Sequence, residues 1–519
     1  MTPARTTPST GNQDVRQGPR LRRNLAFNIA GQTAKLGLAV LSVRYVFRGL
    51  GDEAFGLILF NLTIGTAITS ALELGLTSTT VKEVAAHFNT DPEYIRQLTR
   101  TATTVYWTIY LVTLTVVLIA APVVANDWLR LRSTPQATAI EAIRLLGAGT
   151  LLLLPQNFYA SLLRGRQRMG WTNLISFASL ASQQIGIVVI VGLRGGLIAV
   201  SVWVLLCSIV AVALYALVCS REFGWSSLVP GWSIQAVKRT ASFTRHMMTV
   251  SATSMIHTQS DKVSASRFLS VADFGFYAFI SSVCARVSLL SGAVVEAALP
   301  SLTTLARDDN RKGLTVQYTK LHDLLCLTSI PVLSAVVFAV PVALPYVFTT
   351  AVAQRLVLPT FLLCLGFYMN ASITVPYVMC VATGRPDIPA RTNLLALVFV
   401  LPFTVVLVWR FGMVGGGLSW ILFHVFSYAY LIPRACRCCL KRPLARWYLE
   451  TGRFLIAGAT IYGAGWVLLD VLNPSAIVGS LGVYIAATIG YVAAALTFVS
   501  PPLRSDLLRL PARLLARSR

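Results

Sequence analysis

The stretch Ser254–Tyr277 reads SMIHTQSDKVSASRFLSVADFGFY, and it stands where the hydropathy of the flanking chain predicts a membrane-spanning helix. It carries His257, Asp261, Lys262 and Arg267 together with a run of hydroxyls. An ionised group at the bilayer centre costs at least about 2.5–3.5 kcal/mol, so such groups face a wet cavity or a partner. A helix of this kind lines a polar interior within a membrane protein, and its surroundings decide the fold.

Composition extends that reading to the whole chain. Of the 519 residues, 55% are hydrophobic and 12% charged, and the mean hydropathy is +0.67. A soluble chain carries about 25% charged residues. Apolar runs of about 20 residues, each able to cross a bilayer, recur along nearly the whole length. The expected fold class is therefore an all-α polytopic membrane protein of about 14 transmembrane helices, among them spans at 24–46, 55–78, 243–266 and 275–299.

Charge supplies the topology. Alternate connections, starting with the N-terminal tail, hold 32 of the 44 Lys and Arg residues, whereas the opposite set holds seven. This asymmetry predicts a multi-pass membrane protein with both termini cytoplasmic and an even number of spans. It also assigns the net charge of +24 to topology and anionic membrane lipids rather than to nucleic acid. The nine cysteines form no disulfide framework, and Cys436, Cys438 and Cys439 lack the further ligands that a metal site needs.

An internal repeat divides the chain. Arg48, Leu50, Phe55 and Gly56 recur 219 residues later as Arg267, Leu269, Phe274 and Gly275, and Gly165-Arg166 recurs as Gly384-Arg385 at the same offset. Thr172-Asn173 matches Thr392-Asn393 at 220, and Gly195-Gly196-Leu197 matches Gly416-Gly417-Leu418 at 221. Six spans per repeat give two lobes of one orientation, related by an axis along the membrane normal. The expected organisation is a cytoplasmic tail (1–23), a first six-helix lobe (24–220), a basic linker (221–241) and a second lobe (242–433). A basic loop (434–453), an appended helix pair (454–500) and a basic tail (501–519) complete it.

Polar residues inside the spans are the candidates for function. Asn24, Asn28, Gly31, Gln32, Lys35 and Ser42 share one face of the first span, and Lys35 lies too deep to reach the headgroups. Arg44 lies near the outer end, where headgroups compete with a cavity role. Glu73 closes a row with Asn61, Gly65 and Thr69; it is a candidate proton site, a partner for a buried cation, or a solvated helix-end carboxylate. Asp261 and Lys262 point about 100° apart, so face-to-face pairing is not expected and Arg286 is a candidate partner for Asp261. A solvated mouth is the alternative setting for both. Arg286, mid-span among serines, suits an anionic substrate because its fork matches phosphate oxygens, although a structural ion pair is the alternative. Glu296 lies near the cytoplasmic end of the same span.

No catalytic constellation, P-loop, nucleotide loop or paired-histidine metal motif emerges, so no enzyme activity, cofactor or metal is expected. Asp52-Glu53 could belong to a membrane glycosyltransferase, but their loop is short and their repeat counterparts are Val271-Ala272.

The stretches FNIAGQTAKLGLAVLSVRYVFRGLGDEAFGL (27–57), LELGLTSTTVKEVAA (72–86) and SDKVSASRFLSVADFGFYAF (260–279), followed by ALPSL, resemble the polysaccharide or O-antigen (Wzx-type) flippases. These belong to the multidrug/oligosaccharidyl-lipid/polysaccharide exporter superfamily. The resemblance covers essentially spans 1–12, and the second repeat departs from it, reading SVADFG where the first has LGDEAFG. It implies two lobes rocking about a cationic cavity and movement of an undecaprenyl-diphosphate-linked glycan between leaflets. Cations of spans 1, 2, 7 and 8 would meet the diphosphate, and Lys35, Arg44, Lys262 and Arg286 fall in such spans, with Asn28 and Gln32 beside Lys35. A polysaccharide polymerase and a chain-length regulator are the implied partners. Glu73, Asp261 and Glu296 are the candidates for ion coupling, and the appended pair matches the place of a lipid-tail groove in related lipid II flippases. A multidrug/cation exporter of the same superfamily is the alternative, and a glycosyltransferase or polymerase the more distant one.

Overall fold

The computed structural model describes residues 42–73, 75–286, 288–472 and 477–507, though not every side chain between 242 and 300. Every regular element among them is helical. Residues 42–50 form α1; α2 (Asp52–Leu72), α3 (Leu76–His87) and α4 (Pro92–Val123) follow, the last ending in a π-turn over Val124–Trp128. Then come α5 (Gln136–Leu151), α6 (Leu153–Gly165), α7 (Met169–Gly192), α8 (Leu197–Phe223) and the short α9 (Trp225–Leu228). The second half holds α10 (Ile234–Phe268), α11 (Val271–Ala285), α12 (Ser288–Arg307), α13 (Arg311–Val347), α14 (Thr350–Ala382) and α15 (Asp387–Ala435). The last two are α16 (Leu444–Leu472) and α17 (Ile477–Phe498).

Local chemistry sets several helix starts. Asp91 accepts a hydrogen bond from the Tyr94 amide at 3.1 Å, with Pro92 in the first helical position of α4. That bond, with Arg239 beside it, holds the Asp91 carboxyl below its usual range. Asn310 and Thr349 cap α13 and α14 in the same way. Ser270 accepts from the Asp273 amide at 3.1 Å and donates to the Asp273 carboxylate at 3.0 Å. The SVAD sequence of the second repeat is thus a working helix start, although its letters depart from the first.

Ten helices among the described residues are long and apolar enough to cross a membrane. One, Asp387–Leu440, runs for 54 residues, far beyond the roughly 20 a bilayer requires. It folds back at Gly412, whose φ of 59° and ψ of −130° break the helix. Ala396 and Val400 on one arm pack on Phe423 of the other. That hairpin accounts for two expected spans. The expected spans 7 and 8 fall outside the apolar set, since α10 is polar and its successor is broken into α11 and α12. Of span 1 (24–46), only 42–46 lies in the described region, so length and apolarity do not by themselves fix the count at fourteen.

Helices α2–α8 pack among themselves, as do α10–α15. The two groups share one apolar core that includes Phe55, Phe274 and Tyr277, and each has a separate core further along. The segment joining them stays with the first group: the Gly231 amide donates to Thr104 at 2.8 Å, and the Ser233 hydroxyl to Gln97 at 2.9 Å.

Helices α16 and α17 dock on α13 through buried polar contacts. Trp447 donates to the Tyr318 hydroxyl at 3.0 Å, and Thr451 lies 3.2 Å from His322 Nε2. Asp323, fully buried, accepts the Ser500 amide at 2.9 Å and lies 3.5 Å from an Arg453 nitrogen. Lys320 pairs with Asp506. Removing one partner of a buried, hydrogen-bonded charge costs about 3–5 kcal/mol. Asp323→Ala is therefore expected to lower the unfolding temperature of the purified protein and to expose the chain near Ser500 to protease, whereas Asp506→Ala at the half-exposed pair changes either only slightly.

Candidate functional site

Hereafter the face bearing the cation-rich connections is the basic face, and the opposite one the lean face. The lean face is closed by repeat-related residues meeting each other. A Cβ on Gly275 would lie 2.7 Å from the Gly56 Cα, and one on Gly56 would lie 2.1 Å from the Val271 carbonyl oxygen. Only residues without side chains let α2 and α11 approach this closely. Around that crossing Phe47, Phe55, Phe276, Phe279 and Phe348 form a ring cluster with centroids 5.1–6.4 Å apart. Aromatic pairs of this kind add about 0.5–1.5 kcal/mol each beyond simple burial.

Polar latches flank the seal. Arg267 donates to the carbonyls of Asp127 and Trp128 across the two groups, and Trp128 Nε1 donates to Ser266 at 3.1 Å. Glu53 is buried and spent: it accepts the amides of Arg132, Ser133 and Thr134 and the Ser133 hydroxyl. In the second repeat the counterpart of Glu53 is Ala272, and the next residue, Asp273, pairs with Arg355 of α14 at 2.8 Å. Glu53 anchors a turn and is not positioned to act on a substrate.

Further from the lean face both repeat-related spans break. In the first the break falls at Glu73–Gly75, where Gly75 takes φ 66°. In the second it falls at Arg286, between α11 and α12. At about 1.5 Å per residue, Arg286 lies roughly 22 Å along from the start of α11, beyond the middle of a core roughly 30 Å thick. Below the breaks α3 packs on α4, α6 and α10, while α12 packs on α13 and α14. No contact of the extent of α2 with α11 joins α3 to α12. The two groups meet through α2 and α11 at the lean face, and nearer the basic face through α10, which packs on α3 and α4.

Arg286 is exposed, and among the described residues it has no ion pair. The alternative of a structural ion pair finds no partner there. Glu73 is half-buried at its own break and accepts a hydrogen bond from Thr77. Arg44 is exposed on α1. Lys35, Asn28 and Gln32 lie outside the described residues, as does the side chain of Glu296.

Asp261 and Lys262 depart from expectation. Asp261 is buried and its carboxylate accepts the Tyr277 hydroxyl at 2.6 Å, so its partner is Tyr277 and not Arg286. Lys262 does pair with its neighbour: its Nζ reaches Asp261 at 3.3 Å while donating to the Thr258 carbonyl at 3.0 Å. Its four-carbon stem bends back over the angle that separates the two Cβ directions. The Tyr277 ring fits because residue 416 is glycine; a Cβ there would lie 2.5 Å from the Tyr277 hydroxyl. One turn deeper, His257 stacks on Trp420 with centroids 5.6 Å apart. Tyr277 and Gly416 were visible in the sequence as the FGFY passage and the Gly415–Gly417 run, but nothing in the letters joined them to Asp261.

A second feature lies on the flank. Between α13, α14 and α16 runs an apolar groove of about 680 Å³, lined by Phe338, Phe361, Tyr368, Tyr462 and Trp466 among others.

The sequence model of a family described as "Polysaccharide biosynthesis protein" matches residues 21–306, more than half of the chain. The chain belongs to this family. Among curated proteins it is similar to a candidate O-antigen transporter of Shigella flexneri, at 21% identity over 424 residues, 80% of this chain and 98% of that one. Its fold is that of the lipid II flippase MurJ in an inward closed conformation (TM-score 0.70, 12% identity, 93% of this chain and 100% of that). It is also that of an inward-facing multidrug MATE transporter (TM-score 0.65, 14% identity, 78% of this chain and 95% of that). Both are MOP-superfamily folds.

If the Gly56–Gly275 crossing forms the lean-face seal, Gly56→Val holds it ajar. A cysteine replacing the exposed Ser282, one turn before Arg286, is expected to react severalfold faster with an impermeant maleimide added from the lean side in Gly56→Val than in the parent. Equal rates would show that the seal lies elsewhere.

Proposed function

We propose that the protein moves an undecaprenyl-diphosphate-linked oligosaccharide from the cytoplasmic to the outer leaflet of the bacterial inner membrane, for surface polysaccharide assembly. It acts as a transporter without chemistry on its substrate, with its basic face and both termini cytoplasmic. The observation that carries the reading is Arg286: a permanently charged, exposed guanidinium with no ion pair among the described residues, at a helix break deep in a span, in a chain of the polysaccharide biosynthesis family. An uncompensated arginine at that depth requires water or an anion. A diphosphate supplies bidentate acceptors for it. The O-antigen transporter relative and the MurJ fold support the same cargo class.

The two parts of such a cargo need different surroundings. The charged headgroup would occupy the wet passage between the halves, with Arg286, Arg44, Lys35 and the polar face of Asn28 and Gln32 as its contacts. The polyprenyl tail would remain in lipid or lie in the apolar groove beside α16. Opening alternates as the Gly56–Gly275 seal parts and the basic face closes. Glu73, Asp261 and Glu296 are the carboxylates on which ion coupling would act, and a polymerase and chain-length regulator would receive the product. A cation exporter of the same fold would place free carboxylates in the passage; here Asp261 is held by Tyr277 and Lys262.

Deletion is expected to accumulate lipid-linked repeat units in the inner leaflet, and a wild-type copy to clear them. Arg286→Ala should leave at least tenfold more undelivered lipid-linked glycan than wild type at equal protein level, with Arg286→Lys in between. Full export by Arg286→Ala would remove this residue from the substrate path. Asp261→Asn, tested under a collapsed proton or sodium gradient, should lose the dependence on one of them if Asp261 couples transport.

A further inference from the structure

On the basic face, away from the passage between the halves, a cavity of about 250 Å³ lies where the start of α13 meets the turn that follows α15. Its lining includes Arg311 and Thr315 from the first turns of α13, and Lys441 and Arg442 from the turn, with Tyr318 and Cys439 beneath. Three cations therefore converge on one small concavity. Two have carboxylate neighbours: Arg442 pairs with Glu450, and Arg311 lies 3.1 Å from the exposed Asp309. Lys441 has no ion pair among the described residues. The buried Tyr318 hydroxyl accepts from Trp447 at 3.0 Å, which leaves its own proton free to donate.

The backbone at Lys441 adds a second, independent observation. Residues Cys436–Leu440 form a π-turn that ends at Lys441 with φ 50° and ψ 48°, and the Arg442 amide closes back on the Cys436 carbonyl at 3.2 Å. This left-handed position at a helix end is where glycine is most at ease. A lysine there accepts backbone strain and sets a cation at the rim of the cavity. Basic pockets between helices on this side of a membrane suit phosphate-bearing headgroups.

We propose that this cavity is an anion site for a phosphate group, carried either by a phospholipid of the basic-face leaflet or by free phosphate. Arg311 and Arg442 supply forked donors, and Lys441 supplies the uncompensated charge. A bound phosphate would bridge α13 to the turn leading into α16, and so tie the appended pair to the second half at the membrane surface.

The test uses the purified full-length protein in neutral detergent. Its unfolding temperature is followed during titration with inorganic phosphate against chloride at constant ionic strength, with phosphatidylglycerol, and with a neutral galactolipid. A rise with phosphate assigns a soluble source, a rise with phosphatidylglycerol alone assigns the headgroup, and either supports the site provided the galactolipid gives none. Lys441→Gly, whose backbone suits the turn, and Arg311→Gln should each raise the half-saturating concentration about tenfold. No response to either phosphate source, a galactolipid response equal to that of phosphatidylglycerol, or unchanged half-saturation in both variants overturns the proposal.

Discussion

Two glycines from equivalent places in an internal repeat press against each other, and the lean-face half of the molecule is arranged around that contact. With a 2.7 Å approach from a Gly275 Cβ to the Gly56 Cα, neither position admits a side chain while α2 and α11 cross. A contact without side chains has few interlocking parts to pull apart. The phenylalanines around it are broad apolar surfaces held together by burial, which is non-directional. A seal made of backbone proximity and ring faces can therefore open and re-form without breaking a buried ion pair. The directional latches, Arg267 on the Asp127 and Trp128 carbonyls, lie at its rim where water can replace them.

The repeats keep a geometry and change the chemistry that makes it. Glu53 gathers three successive amides ahead of α5, whereas in the second repeat its counterpart is Ala272 and the neighbouring Asp273 pairs with Arg355 inside α14. Arg267 latches across the halves, whereas its counterpart Arg48 makes no such bond among the described residues. Each repeat also breaks its long span below the crossing, one at a carboxylate and the other at a guanidinium. The two halves are thus alike in helix order and unlike in the charge they place at the break.

Much of this was legible in the letters. Apolar run length gave the helical membrane class, and Phe55, Gly56, Phe274 and Gly275 stood out as repeat positions, though not as a crossing. Three features were not legible. The break at Arg286 has no proline or glycine at that position to announce it. The pairing of Lys262 with adjacent Asp261 depends on the bend of a flexible stem, which residue spacing does not encode. Asp261 finds Tyr277 because α10 and α11 turn back on each other and Gly416 clears the space, a three-helix coincidence. The polarity of α10, with Asp261 on Tyr277 and His257 on Trp420, leaves it without the apolar signature of its neighbours.

Burial energy holds the frame, and among the described residues Arg286 has no ion pair within it. The apolar groove beside α16 and the exposed Arg286 suit the two ends of one amphiphile, an isoprenoid tail and a phosphorylated head. The most direct measurement is transfer between leaflets by the purified protein in liposomes. A polyprenyl-diphosphate glycan is placed in one leaflet, and its arrival in the other is read by an impermeant lectin or glycosidase. Protein-dependent transfer of the diphosphate lipid, and much slower transfer of a neutral polyprenyl glycoside bearing the same sugar, is the predicted result. Transfer no faster than in protein-free liposomes, or equal transfer of the neutral lipid, would contradict a passage selected by anionic charge.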